Sequence, residues 1–247
     1  MQQAEFWFAC ALSAVGIAAT QATAGETVLH NFGCPPKGAG PWAVIRDSAG
    51  NFYGTTVSGG SAGVGVVYKV DRSGHETVLY SFTGGADGRM PLAGVVRDSS
   101  GNLYGTTVSG GSAGAGVVYQ VDTSGNETVL YSFTGGADGG SPQASIVRDA
   151  AGNLYGTATE GGVNNAGVVF KVDSTGHETV LYSFTGGADG GNPLAPLIRD
   201  SSGNLYGTTF SGGAARWGVV FKLSAGGQET VLYTFTGGLD GGNPQTL

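Results

Sequence analysis

Residues 101–107 read Gly-Asn-Leu-Tyr-Gly-Thr-Thr, and close copies of this heptad start at Gly50, Gly152 and Gly203, successive starts lying 51 residues apart. A second marker, Glu-Thr-Val-Leu, begins at Glu26, Glu76, Glu127, Glu178 and Glu229, at steps of 50, 51, 51 and 51. A fixed period of this length marks a supersecondary unit that buries its apolar face only against its neighbours. The chain therefore folds as an array of like units.

Within one unit the runs 92–98, 103–109, 117–122 and 127–133 are rich in strand-forming residues. Ser99-Ser100-Gly101-Asn102 separates the first pair and Thr123-Ser124-Gly125-Asn126 the second. Their Gly and Asn supply the left-handed backbone that tight hairpins need. Gly provides 48 of the 247 residues while charged residues make up 12%, a balance that suits short strands and turns. Four antiparallel strands per unit, with no helical periodicity between units, predict an all-β fold, a β-propeller. A β-solenoid is the structural competitor, but its coils are usually shorter.

On this reading the blades cover residues 41–82, 92–133, 143–184 and 194–235, with Ala93, Val95, Val117, Val118, Leu130 and their equivalents packing blade on blade. Gly54, Gly105, Gly156 and Gly207, inside the second strand, are expected to admit an aromatic ring from a neighbouring blade. Residues 26–32 form an orphan fourth strand, and a fifth unit starts at Asn243-Pro244. The expectation is an incomplete ring of about four blades plus a partial fifth, with the C-terminus cut short. In the alternative phase, units starting at each Glu-Thr-Val-Leu would close as a four-blade ring.

Residues 6–19 are apolar, and Ala22-Thr23-Ala24 before Gly25 has the small-x-small form of a signal-peptidase site. Residues 1–24 are expected to be an export signal and 25–247 the repeat domain, which makes the protein secreted or cell-surface. Residues 1–5 carry Glu5 and no Lys or Arg, a departure from the usual positive start. Cys10 would leave with the signal, and Cys34 would be the only thiol of the mature chain, so no internal disulfide is expected. Eleven Lys plus Arg against 18 Asp plus Glu give a formal charge of −7, which argues against nucleic acid and anionic membrane surfaces as partners. No second apolar stretch suggests direct membrane insertion.

Three segments recur in order and in register: Gly-Asn-Leu-Tyr-Gly-Thr-Thr, Gly-Val-Val-Tyr/Phe-Lys-Val and Glu-Thr-Val-Leu-Tyr-Ser-Phe-Thr-Gly-Gly-Ala-Asp-Gly. Together they resemble the GloVer (Gloeo-Verruco) tandem repeat of bacterial extracellular proteins, from about Glu26 to the end. The first strand and its turn are more distantly similar to NHL-type propeller blades. The resemblance implies an exported, surface-associated molecule, often with a C-terminal sorting anchor, and supplies no catalytic residues.

An up-and-down path puts the loops after strands two and four on one face, and loops on a rigid scaffold are where binding usually resides. The connectors there carry one Asp each: Asp87, Asp138, Asp189 and Asp240. As ligands for Ca²⁺ they fall short of six to eight oxygens, and the competing reading is an Asp that turns its own backbone. The other loop varies most between units, and its Asn164, Asn165, Arg216 and Trp217, together with Asp87, Asp138 and Asp189 of the connectors, are the candidate contacts for a glycan or protein partner. Arg46, Arg97, Arg148 and Arg199 form either an anion-binding ring or structural pairs with an Asp such as Asp47, Asp98, Asp149 or Asp200.

Residues 111–116 match the glycine spacing of a dinucleotide loop, but no helix pattern follows to hold a pyrophosphate. His30, His75 and His177 enter no metal-binding or catalytic arrangement. No catalytic residue, metal or cofactor is expected. The function expected is a non-catalytic extracellular scaffold for binding or adhesion, with a carbohydrate- or peptide-binding module and a propeller lyase or hydrolase, its active residues in missing blades, as alternatives.

Overall fold

The computed structural model describes residues 27–33 and 37–245. The export signal read over residues 1–24, together with Cys34, lies outside them. Four antiparallel sheets follow one another along the chain. The second pairs Val96–Arg97, Leu103–Thr107, Val117–Val121 and Glu127–Ser132 in chain order. The third repeats this with Val147–Arg148, Leu154–Ala158, Val168–Val172 and Glu178–Ser183. The fourth uses Ile198–Arg199, Leu205–Thr208, Val219–Leu223 and Glu229–Thr234.

In the first sheet the inner strand is broken into Gly38–Pro41 and Ile45–Arg46, both paired with Phe52–Gly59; Val66–Val70 and Glu76–Ser81 complete it. Every unit's inner strand is shorter than the expected 92–98. In the second unit the pairing reduces to Val96–Arg97 and an isolated bridge between Arg89 and Ser109. Prolines such as Pro91, which lack an N–H, and the turn-forming connector interrupt the ladder between those points. Among the described residues the sheets form no closed ring. Residues 27–33 are not laddered as a strand, so the expected orphan strand is present only as a packed segment.

Three apolar clusters each bridge two consecutive sheets, and a fourth packs Phe32 on Val66, Tyr68 and Val70 of the first. One joins Tyr53, Val67 and Phe82 of the first unit to Val95, Leu103, Val117, Tyr119 and Val121 of the second. The outer-strand phenylalanine of each of the first three units meets an aromatic residue of the next edge-on. Phe82 and Tyr119 stand 5.1 Å apart between ring centroids, Phe133 and Phe170 5.0 Å, and Phe184 and Phe221 5.1 Å. Phe32 meets Tyr68 in the same way at 4.8 Å, which puts residues 27–33 where an outer strand would stand.

Between the third and outer strands of every unit the register slips once, at Val118/Tyr119 in the second. A bulge there leaves Leu130 unpaired and bends the outer strand. Its carbonyl meets the hairpin turn of the next unit so closely that a Cβ on Gly176 would lie 2.8 Å from Leu130 O. Gly176 also has φ +85°, so this turn requires glycine twice over.

The aromatic ring over the second-strand glycine comes from the unit's own third strand, which corrects the expected neighbouring blade. Gly105 is paired with Tyr119, and a Cβ there would lie 2.5 Å from the Tyr119 hydroxyl oxygen. Gly156 stands in the same relation to Phe170. The cause is direct cross-strand pairing, which makes the opposite residue the nearest neighbour.

Candidate ligand-binding loop face

The hairpin loop between second and third strands lies against the connector that enters the unit. Gly111 N–H donates to Gly85 O at 2.9 Å, Gly162 to Gly136 O at 2.9 Å and Gly213 to Gly187 O at 2.8 Å. These bonds place both loop sets on one face, as the up-and-down path requires.

The connector aspartates face inward. Asp138 accepts from Thr134 N–H at 2.7 Å, from the Thr134 hydroxyl and from the Tyr131 hydroxyl at 2.9 Å. Asp87, Asp189 and Asp240 repeat the set with Thr83 and Tyr80, Thr185 and Tyr182, and Thr236 and Tyr233. Burial works against ionising Asp87 and Asp138, yet hydrogen bonds from threonine and tyrosine outweigh it and hold both below the usual carboxylate range. Each carboxylate is thus engaged in closing its own connector. Asp138→Ala is expected to cost about 1–3 kcal/mol, because it strands the Tyr131 hydroxyl and frees the connector. Urea denaturation of the single variant measures this.

The arginines cross blade boundaries. Arg97, Arg148 and Arg199 lie over Tyr53, Tyr104 and Tyr155 of the preceding unit, with the guanidinium carbon 5.5, 5.4 and 5.3 Å from the ring centroid. Those tyrosines donate their hydroxyls to Asp47, Asp98 and Asp149. Arg199 also approaches Asp149 at 4.0 Å. Among the described residues only Arg199 approaches an Asp; Arg97 and Arg148 stack on tyrosine without an ion pair, and Arg46 lies over Phe52 of its own unit at 5.9 Å.

A set of carboxylates at the blade boundaries escaped sequence reasoning. Glu127, at the start of an outer strand, is pushed up to about 7 by burial and by the charge of Asp87 in the preceding connector. Glu178 is raised to about 7 in the same way, with Asp138 as its neighbour. One oxygen each of Glu127, Glu178 and Glu229 is buried without a hydrogen-bond partner among the described residues. The first boundary differs: His30 Nε2 lies 3.1 Å from Glu76 Oε2, and Gly38 N–H donates to Glu76 Oε1 at 3.4 Å. The signal was in the sequence, since His30 replaces the tyrosine found at positions 80, 131, 182 and 233. Among the described residues no group of three His, Cys, Asp or Glu is placed to hold a metal ion.

The variable loop residues occupy distinct places. Asn164 is exposed, while Asn165, at φ +53°, accepts from Gly161 N–H at 2.8 Å and so supports its own loop. Arg216, at the equivalent position with φ +67°, lines an open groove of about 540 Å³. Gly186, Gly187 and Ala188 of the preceding connector form one wall, and Ser211 to Ala214 the other. Trp217 packs on its own unit's connector at Gly237 and Gly242 and remains 44% exposed. The structure brings Arg216 to the groove and Trp217 beside it; Asn164 and Asn165 belong to the preceding unit's loop and do not line it. Guanidinium, backbone amides and a flat apolar ring can bind; among the described residues no nucleophile–base pair lines the groove.

The model of the Gloeobacter/Verrucomicrobia repeat matches residues 16–200. The chain belongs to this repeat family. No curated protein matches it. Among solved structures it is similar to a gluconolactonase from Xanthomonas campestris, at 12% identity and TM-score 0.51, covering 78% of this chain and 61% of that one. It is likewise similar to a puromycin-hydrolysing peptidase from Mycobacterium tuberculosis, at 12% identity and TM-score 0.51, covering 79% of this chain and 29% of that one. At such identities the likeness concerns the fold, which is of β-propeller type. The repeat-family chain spans less than two thirds of each of these neighbours. Among its described residues no helix is long and apolar enough to cross a membrane.

Proposed function

We propose that this chain is a non-catalytic, extracellular repeat scaffold that binds a partner on its loop face. The observation that carries the proposal is the use made of its recurring polar groups. Connector aspartates close their own loops, and turn-side arginines stack on the preceding blade. The exposed hairpin loops of the third and fourth units carry polar departures from the repeat at Asn164, Asn165 and Arg216.

The activities named for the structural neighbours belong to those proteins. Purified protein incubated with gluconolactone and with puromycin is expected to give rates equal to the buffer blank. Turnover abolished by a single substitution in this chain would overturn the non-catalytic reading. Export is tested separately: expression with residues 1–24 in a bacterial host should yield a secreted chain whose N-terminus by mass spectrometry is Gly25. Retention of the intact chain in the cytoplasm would refute it.

A further inference from the structure

The hairpin loop of the fourth unit departs from its three counterparts at adjacent positions. Its left-handed position holds Gly63, Gly114 and Asn165 in the other units and Arg216 here, with φ +76°, +80°, +53° and +67°. Glycine takes that conformation freely and asparagine tolerates it, whereas a long side chain meets a steric penalty. The next position is Val64, Ala115 or Ala166 elsewhere, and Trp217 here.

Trp217 lies flat on backbone. A Cβ added to Gly237 would fall 2.3 Å from its Cε2 atom, and one added to Gly242 2.9 Å from its Cε3 atom. Glycine backs one ring face, which leaves the rest of this 44% exposed side chain to solvent. The loop also loses a hydrogen bond that its counterparts make. In the other units the N–H of Ser61, Ser112 or Val163 donates to a serine hydroxyl of the outer strand at 2.8, 2.8 and 2.9 Å. In the fourth unit Thr234 replaces that serine and its methyl packs toward Gly213, and among the described residues the Ala214 N–H makes no such bond. Where Asn165 contributes an acceptor to its loop, Arg216 contributes only donors. Among the described residues Arg216 enters no ion pair.

We infer that this loop binds an acidic saccharide, with the carboxylate of a uronic acid on Arg216 and the adjoining sugar ring over Trp217. In a hexuronic acid the carboxylate projects from the edge of the ring, so one sugar offers a flat C–H face and an anionic edge side by side. Trp217 follows Arg216 in the chain, with Arg216 in the groove and Trp217 on the next connector, so a short acidic oligosaccharide can lay one ring on the indole while a carboxylate meets the guanidinium fork. The Ala214 N–H and the glycine-walled groove admit the next sugar's hydroxyls. The net charge of −7 opposes long polyanions, so short oligomers are the fitting ligands. This inference rests on the loop-face binding reading and names its ligand class.

The test is titration of the full chain with trigalacturonate, followed by calorimetry and by tryptophan fluorescence, alongside a neutral galactose trisaccharide and a short peptide with a free C-terminal carboxylate. Arg216→Gly and Trp217→Ala each restore a residue that other units carry at that position, so both variants should fold; Arg216→Gly should melt no lower than the parent, and Trp217→Ala somewhat lower for the packing it loses on Gly237 and Gly242. The expected result is binding of trigalacturonate with altered tryptophan emission, weakened at least tenfold by either substitution and reduced by added salt. Failure to bind, an equal response to the neutral trisaccharide, tighter binding of the peptide, or indifference to Arg216→Gly would each overturn the inference. None of these outcomes bears on the non-catalytic reading, which only turnover refutes.

Discussion

Phe133→Ala is expected to destabilise the protein by about 3–5 kcal/mol, the cost of deleting a large aromatic ring whose neighbours cannot collapse into the space. Phe133 is fully buried where the second and third sheets meet. Its ring meets Phe170 of the next unit at 5.0 Å and Tyr131 of its own outer strand at 5.1 Å, both edge-on. Around it lie Tyr104, Val118, Ile146, Leu154 and Val168 from both sheets. In a repeat array stability is close to a sum of unit terms and nearest-neighbour interface terms. Removing one interface anchor should therefore broaden the unfolding transition as well as lower its midpoint. Phe235→Ala is the internal comparison, because Phe235 is the equivalent residue of the fourth unit and is only partly buried. It should cost less than half as much. Urea titration followed by circular dichroism decides the matter, and equal losses for the two variants would refute interface-centred packing.

Much of the architecture can be read from the 51-residue period because local chemistry sets it. Turn residues fix the hairpins, and alternation of Val, Tyr and Thr fixes the strands. Second-strand residues 103–107 and outer-strand residues 127–132 fall inside the expected runs. Relations between units were harder to see. The ring over Gly105 was expected from a neighbour because sequence shows that space is needed there without showing which strand fills it. The approach of Glu127 to Asp87 spans 40 positions and depends on how one outer strand leans on the preceding connector. Repetition masks such contacts: each partner recurs, so nothing singles out the pair. His30 is the exception that exposes the position, since it breaks the tyrosine column beside Glu76. At the loop face the departures of Arg216 and Trp217 were visible as composition. Only the structure shows that one lines a groove while the other lies on glycine backbone.

The boundary carboxylates make an unusual pH dependence the second large expected effect. Glu127 and Glu178 sit near 7 in the folded chain, raised first by burial and then by Asp87 and Asp138, and Glu229 is raised by burial and by Asp189. In the unfolded chain a glutamate returns to its ordinary value near 4.5. Between these values the folded chain holds protons that the unfolded chain has released. Stability therefore falls as pH rises from about 4.5 to about 7. Each shift of this size corresponds to about 3 kcal/mol. Half-buried groups are partly screened by solvent, so about 1 kcal/mol each is the fitting figure. Glu127 and Glu178 together then place the melting temperature about 4–8 °C higher at pH 5 than at pH 8. Aspartates act in the opposite sense at lower pH. Asp98 and Asp149 are buried against ionisation, but hydrogen bonds from Asn102 and Asn153 win and hold them below the ordinary range. The stability they contribute is present above their unfolded value and is lost as pH falls through their folded one. The stability maximum should accordingly lie near pH 5. Replacing Glu127, Glu178 and Glu229 together by Gln removes the groups that ionise while keeping their shape, and should flatten the profile between pH 5 and 8. A profile that rises toward pH 8 in the parent, or stays unchanged in the triple variant, would show that these carboxylates are not held protonated between the blades.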